Sequence, residues 1–103
     1  MTKRLYEAAE TLVYDPVAAN RNATRASLHS LGFRSVEFAS SLEMLTHHLT
    51  VRQPDLVLCE ATGTEADVCR VIQQVRQGTL GANPFVVAIV TTWRRDGNIV
   101  TQV

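Results

Sequence analysis

Residues 55–60 read DLVLCE: Leu56, Val57, Leu58 and Cys59 are apolar without a break, and the run stops on the acid Glu60. A surface strand alternates apolar and polar positions, whereas a parallel strand covered on both faces is apolar throughout. Residues 85–90, Phe85-Val86-Val87-Ala88-Ile89-Val90, have the same character. The two runs predict two inner strands of a parallel sheet, with an acid at the carboxyl end of the first.

The helix that must connect two such strands is written between them. Thr64 and Asp67 have capping-box spacing, Val68, Val71, Ile72 and Val75 recur at helical intervals, and Gly78 closes the pattern. Upstream, Thr11-Leu12-Val13-Tyr14 is a strand stopped by Asp15-Pro16, and residues 18–31 form a helix whose thin apolar face is Ala19, Ala23, Ala26, Leu28 and Leu31, ended by Gly32. Ser35-Val36-Glu37-Phe38 alternates like an edge strand. Ser40 and Glu43 then cap a helix carrying Leu42, Leu45 and Leu49, which Pro54 prevents from continuing. Thr91 to Asn98 reads as a polar turn, and Ile99, Val100 and Val103 as the opening of a further helix. Strands alternating with helices give an α/β fold with right-handed crossovers, and functional groups in such sheets gather at the strands' carboxyl ends, here Asp15, Glu60 and Thr91.

Composition narrows the function. A chain of 103 residues supports one domain with one modest core, and folding at that size buries roughly two-thirds of the unfolded surface. Ten basic and ten acidic residues leave no net charge to draw the chain to nucleic acid or to an anionic membrane. No apolar run approaches the ~18 residues of a membrane span. Glu7 and Glu10 fall where a signal peptide needs an apolar stretch, so a cytoplasmic protein is expected. Cys59 and Cys69 match neither redox-pair nor zinc-knuckle spacing and read as reduced thiols. His47 and His48 project about 100° apart on a helix and do not share a metal ion. No G-x-G-x-x-G, Walker lysine or G-x-S-x-G motif is present, so neither a nucleotide binder nor an enzyme is expected.

Four phrases in order, TLVYDPVAANR (11–21), LGFRSVEFASSLEMLTHHL (31–49), RQPDLVLCE (52–60) and NPFVVAIVTTW (83–93), resemble the receiver domain of bacterial two-component response regulators. The resemblance covers nearly the whole chain from Thr11 onward. It implies a doubly wound, flavodoxin-like parallel sheet in the order 2-1-3-4, a single domain over residues 1–103 that lacks the family's fifth strand and last helix. By the same resemblance Glu60 stands at the phosphoacceptor position, Asp15 is the remnant of the Mg²⁺ site, and Thr91 stands at the switch hydroxyl.

The chain departs from the family at the chemistry. Pro16 replaces the second acid of the metal pair and offers no side-chain oxygen to an ion that requires near-octahedral oxygen ligation. Glu60 is one methylene longer than the usual aspartate, and nucleophilic attack tolerates such displacement poorly. Thr64 stands where the family often has proline. The expectation is therefore a non-catalytic, receiver-like signalling module that binds a protein partner or its own output domain without phosphorylation, with no cofactor and at most weak Mg²⁺. The alternative is a Mg²⁺-dependent phosphoryl-accepting switch using Glu60 or Asp15. An unpaired outer edge of the fourth strand would also favour self-association, with Phe85, Val87, Ile89, Trp93, Ile99, Val100 and Val103 as interface candidates.

Overall fold

The computed structural model describes residues 7–93 and 99–102. Five strands form one sheet: β1 (Glu10–Tyr14), β2 (Ser35–Ala39), β3 (Leu56–Glu60), β4 (Val87–Trp93) and β5 (Ile99–Gln102), in the order β2-β1-β3-β4-β5. The first four are parallel, as the unbroken apolar runs require, and three helices connect them: α1 (Ala18–Ser30), α2 (Leu42–Val51) and α3 (Glu65–Arg76).

The two faces of the sheet are covered unequally. On one, Leu12, Tyr14, Val57, Cys59 and Val90 pack with Leu45 and Leu49 of α2 and Val68 and Val75 of α3 in a continuous core. These helices present apolar residues at the intervals the sequence predicts, and Ser41 caps α2 by accepting the Met44 N–H at 3.2 Å. The cap falls one residue after the expected Ser40, whose hydroxyl instead meets Met44 Sδ at 3.2 Å. Thr64 stands at the α3 N-cap as expected, but its side chain makes no capping bond and turns to Ala61 O at 3.4 Å.

On the opposite face α1 is the only helix among the described residues, and its rotation differs from the expectation. Ala19, Ala23 and Ala26 are exposed, Leu31 is 59% exposed, and Leu28 alone is buried. Arg21 and Thr24 turn inward beside it. The reason is polar: that phase lets Arg21 Nη1 donate to Asp15 O at 2.8 Å and sets Arg25 over the Phe38 ring at 4.5 Å. These contacts hold α1 over β1 and β2.

The end of the sheet corrects the expectations for β4 and for the segment after it. β4 begins at Val87, because Asn83 Oδ1 accepts the Phe85 N–H at 3.0 Å and holds Pro84-Phe85 in a turn. It then runs through Thr91, Thr92 and Trp93, residue types that favour strands. Ile99 and Val100 do not open a helix; they belong to β5, which pairs antiparallel with β4 from Val90↔Gln102 to Trp93↔Ile99. The outer edge of β4 is thus covered over Val90–Trp93, and only Val87–Ile89 lacks a strand partner among the described residues. Val103 lies outside the described residues.

Candidate functional site

The carboxyl ends of β1, β3 and β4 bring Asp15, Glu60 and Thr91 to one rim of the sheet, around a groove of about 200 Å³ that extends down over Val13, Leu58 and Ile89. The parallel register places them in layers. Thr11, Leu56 and Val87 form the lowest row, Val13, Leu58 and Ile89 the middle one, and Glu60 with Thr91 the rim.

Each rim residue is held by its own strand end. Asp15 is 5% exposed; its backbone N–H extends the ladder to Ala39 O, and its Oδ1 accepts the Val17 N–H at 2.9 Å, turning the chain into α1. Pro16 is exposed and contributes no donor or acceptor from its side chain. Glu60 is tied to the loop that follows it: Oε1 accepts the Thr62 N–H at 3.1 Å and also the Thr62 hydroxyl. Thr91 donates to the backbone carbonyl of Cys59 at 3.4 Å, so its hydroxyl closes the β3–β4 seam. No Lys, Arg or His lies within salt-bridge distance of Asp15 or Glu60 among the described residues.

Sequence reasoning missed a second acid in the same loop. Glu65, the first residue of α3, accepts the Gly63 N–H at 3.0 Å and the Thr92 hydroxyl at 2.7 Å through Oε2. These bonds hold its carboxyl below the usual carboxylate range, the Thr92 hydroxyl most of all. The loop after β3 is therefore clamped by two glutamates, Glu60 from β3 and Glu65 from α3. The signal in the sequence is the acid two residues from each amide it holds, Glu60 to Thr62 and Glu65 to Gly63.

These residues do not fit a Mg²⁺ ion. The metal needs several oxygen ligands at about 2.1 Å, while Pro16 supplies none and one Glu60 oxygen is already engaged by Thr62. No group of three His, Cys, Asp or Glu side chains suited to a metal occurs among the described residues.

The other candidates separate. Phe85 is 88% and Val87 52% exposed at the start of β4, and Ile89 is half-buried in the groove. Trp93, Ile99 and Val100 are placed by strand register, Trp93 opposite Ile99 and Thr92 opposite Val100. Of the histidines, His47 is exposed, while His48 is half-buried with an Nδ1 that has no partner among the described residues. No helix among the described residues is long and apolar enough to cross a membrane. No family model, curated protein or solved structure matches the chain.

Proposed function

We propose that this chain is a receiver-like cytoplasmic signalling domain that acts as a phosphorylation-independent interaction module, binding a protein partner, an output domain or a second copy, without catalysis of its own. The observation that carries the reading is the state of Glu60. At the position where the resemblance puts a nucleophile, the carboxylate accepts two hydrogen bonds from Thr62 and ties down its own loop. With Oε1 so engaged, the carboxylate is oriented along its own loop, and Oε2 is its remaining acceptor. An attacking carboxylate also needs a cation to shield the incoming phosphoryl group, and none lies within salt-bridge distance of Glu60 among the described residues.

The 2-1-3-4 parallel order supports the receiver-like architecture, since that order places three strand ends around one rim. Exposed Phe85 and Val87 support an interaction role, because large apolar groups at a sheet edge are what partners bury.

The test is intact mass after incubation with acetyl phosphate, with and without Mg²⁺. The expected result is no mass gain in either condition. A Mg²⁺-dependent gain of one phosphoryl group that disappears in Glu60→Gln or Asp15→Asn would replace this reading with the phosphoryl-accepting switch.

A further inference from the structure

Among the described residues, the face of the sheet under α1 is covered by that helix over part of its width. α1 covers β1 and β2, and beyond it Leu56, Leu58 and Ile89 remain half-buried and Val87 52% exposed. Parallel sheets are covered by helices on both faces. Here α2 and α3 cover one face, and the strip over β3 and β4 on the other has no element of the described chain above it.

The dimensions of that strip select an occupant. Strands lie about 4.8 Å apart, so β3 and β4 offer a strip roughly 10 Å wide, the width of one helix of about 10–12 Å. From the lowest row to the rim is five residues, or about 15 Å, the length of roughly ten helical residues. The groove of about 200 Å³ falls short of the ~300 Å³ at which small-molecule sites begin, and it suits inserted side chains. From α1, Thr24 reaches the edge of this strip and lines the groove with Leu58 and Ile89.

Charge selects further. Asp15 is 5% exposed, accepts a single side-chain hydrogen bond among the described residues, and lines the groove with Glu60. Two carboxylates stand at one end of an apolar channel, with no cation in salt-bridge distance of either among the described residues. A matching ligand is apolar along its length and positive at that end.

We propose that this strip is the docking site for an amphipathic helix of another polypeptide, about three turns long. Its apolar stripe lies on Leu58, Val87 and Ile89, and a lysine or arginine in its first turn pairs with Asp15 and Glu60. Its positive dipole end then also faces the two acids. The proposal rests on the interaction-module reading and names that module's surface and partner chemistry. A second copy is a poorer occupant: the exposed side of α1 is alanine and polar residues, and on α2 the exposed Met44 and Val51 are interrupted by Glu43 and His47, with no lysine or arginine among the helix's residues to meet Asp15 and Glu60.

The test uses a fluorescein-labelled helical peptide of about 14 residues, roughly four turns, with leucines at i, i+3 and i+7 and a lysine in its first turn. A second peptide carries glutamate in place of that lysine. Saturable anisotropy binding of the lysine peptide is expected, at least about tenfold tighter than that of the glutamate peptide. The preference should shrink in Glu60→Gln, and amide shifts should map to Val13, Leu58 and Ile89 in the unaltered protein. Val87→Ser, at a position 52% exposed, should weaken binding of either peptide.

Equal binding of the two peptides, shifts confined to other surfaces, or no binding would each overturn the proposal. So would dilution-dependent shifts at Leu58 and Ile89 in the peptide-free protein, which would make a second copy the occupant. Phosphoryl gain on Glu60 sinks the underlying reading whatever the peptides do, whereas a peptide failure without phosphoryl gain removes only this surface.

Discussion

Thr92 Oγ1 donates to Glu65 Oε2 at 2.7 Å across 27 positions of chain, tying the end of β4 to the first turn of α3. The bond links the strand end nearest the rim to the loop that Glu60 also holds, so the two glutamates act on one short segment, Ala61–Thr64. An acid at a helix N-terminus is favourable in itself, and here it is also aimed by the Gly63 amide.

That geometry makes the loop pH-dependent in a stated direction. Glu65 is held below the usual carboxylate range, first by Thr92 and then by the backbone amides of Glu65 and Gly63. Its contribution is therefore fully present above the unfolded-chain value and lost as pH falls through the lowered folded one. In Thr92→Val the Glu65 titration followed by carboxyl carbon NMR should move up toward the ordinary range, with the Thr62 and Gly63 amides shifting in step. An unchanged Glu65 titration would mean the hydroxyl does not set it.

The two-sided asymmetry of the sheet predicts unequal costs of truncating leucines. Leu45 is 0% exposed between α2 and the sheet, and Leu45→Ala should lower unfolding stability by about 2–5 kcal/mol. Leu31→Ala, at a site 59% exposed beyond the end of α1, should stay within about 0.5 kcal/mol. Urea midpoints at constant slope measure both. Comparable losses would place Leu31 in a core and contradict the observed rotation of α1.

The contrast between those leucines also shows what was legible in the sequence. Parallel β3 and β4 could be read because Leu56–Cys59 and Val86–Val90 leave no polar position for a solvent face. The apolar faces of α2 and α3 could be read because core burial imposes a helical period. The phase of α1 could not, since alanine periodicity pointed one way while the Arg21 bond to the Asp15 carbonyl and the Arg25 contact with Phe38 turned the helix the other. β5 was missed because a short apolar tail suits helix or strand equally. Its signal was Asp96-Gly97 between two β-branched runs, a hairpin pattern. Asp15, Glu60 and Thr91 were placed at one rim by strand ends alone, but the Glu60 and Glu65 clamps join side chain to backbone and leave no periodic trace.

Burial separates the two thiols. Cys59 lies in the core at 2% exposure, and burial pushes its thiol up from 9.0 to about 12, while Cys69 on α3 is half-buried. A thiol raised that far carries roughly a thousandfold less thiolate near pH 8 than an ordinary one. Iodoacetamide should therefore modify Cys69 in the folded protein and reach Cys59 only in denaturant, as peptide mapping would show. Equal labelling of the two in buffer would require Cys59 to be accessible and its strand open.

The loop between α3 and β4 contains the position least tolerant of a side chain. Gly81 has φ 76°, and a Cβ added there would lie 2.6 Å from the Leu49 carbonyl oxygen, a backbone atom of α2 that cannot swing aside. Gly63 and Gly78 share the left-handed conformation, at φ 84° and 77°, but a Cβ on either meets nothing within 4 Å. The three glycines thus separate conformational strain from contact. Gly63→Ala and Gly78→Ala should each cost about 1–2 kcal/mol, the left-handed penalty alone. Gly81→Ala should cost that and more, because α2 must move from its seat on the core before the methyl group fits. Thermal or urea unfolding of the three variants measures the difference, and equal losses would mean that the Gly81 loop yields in place of the helix.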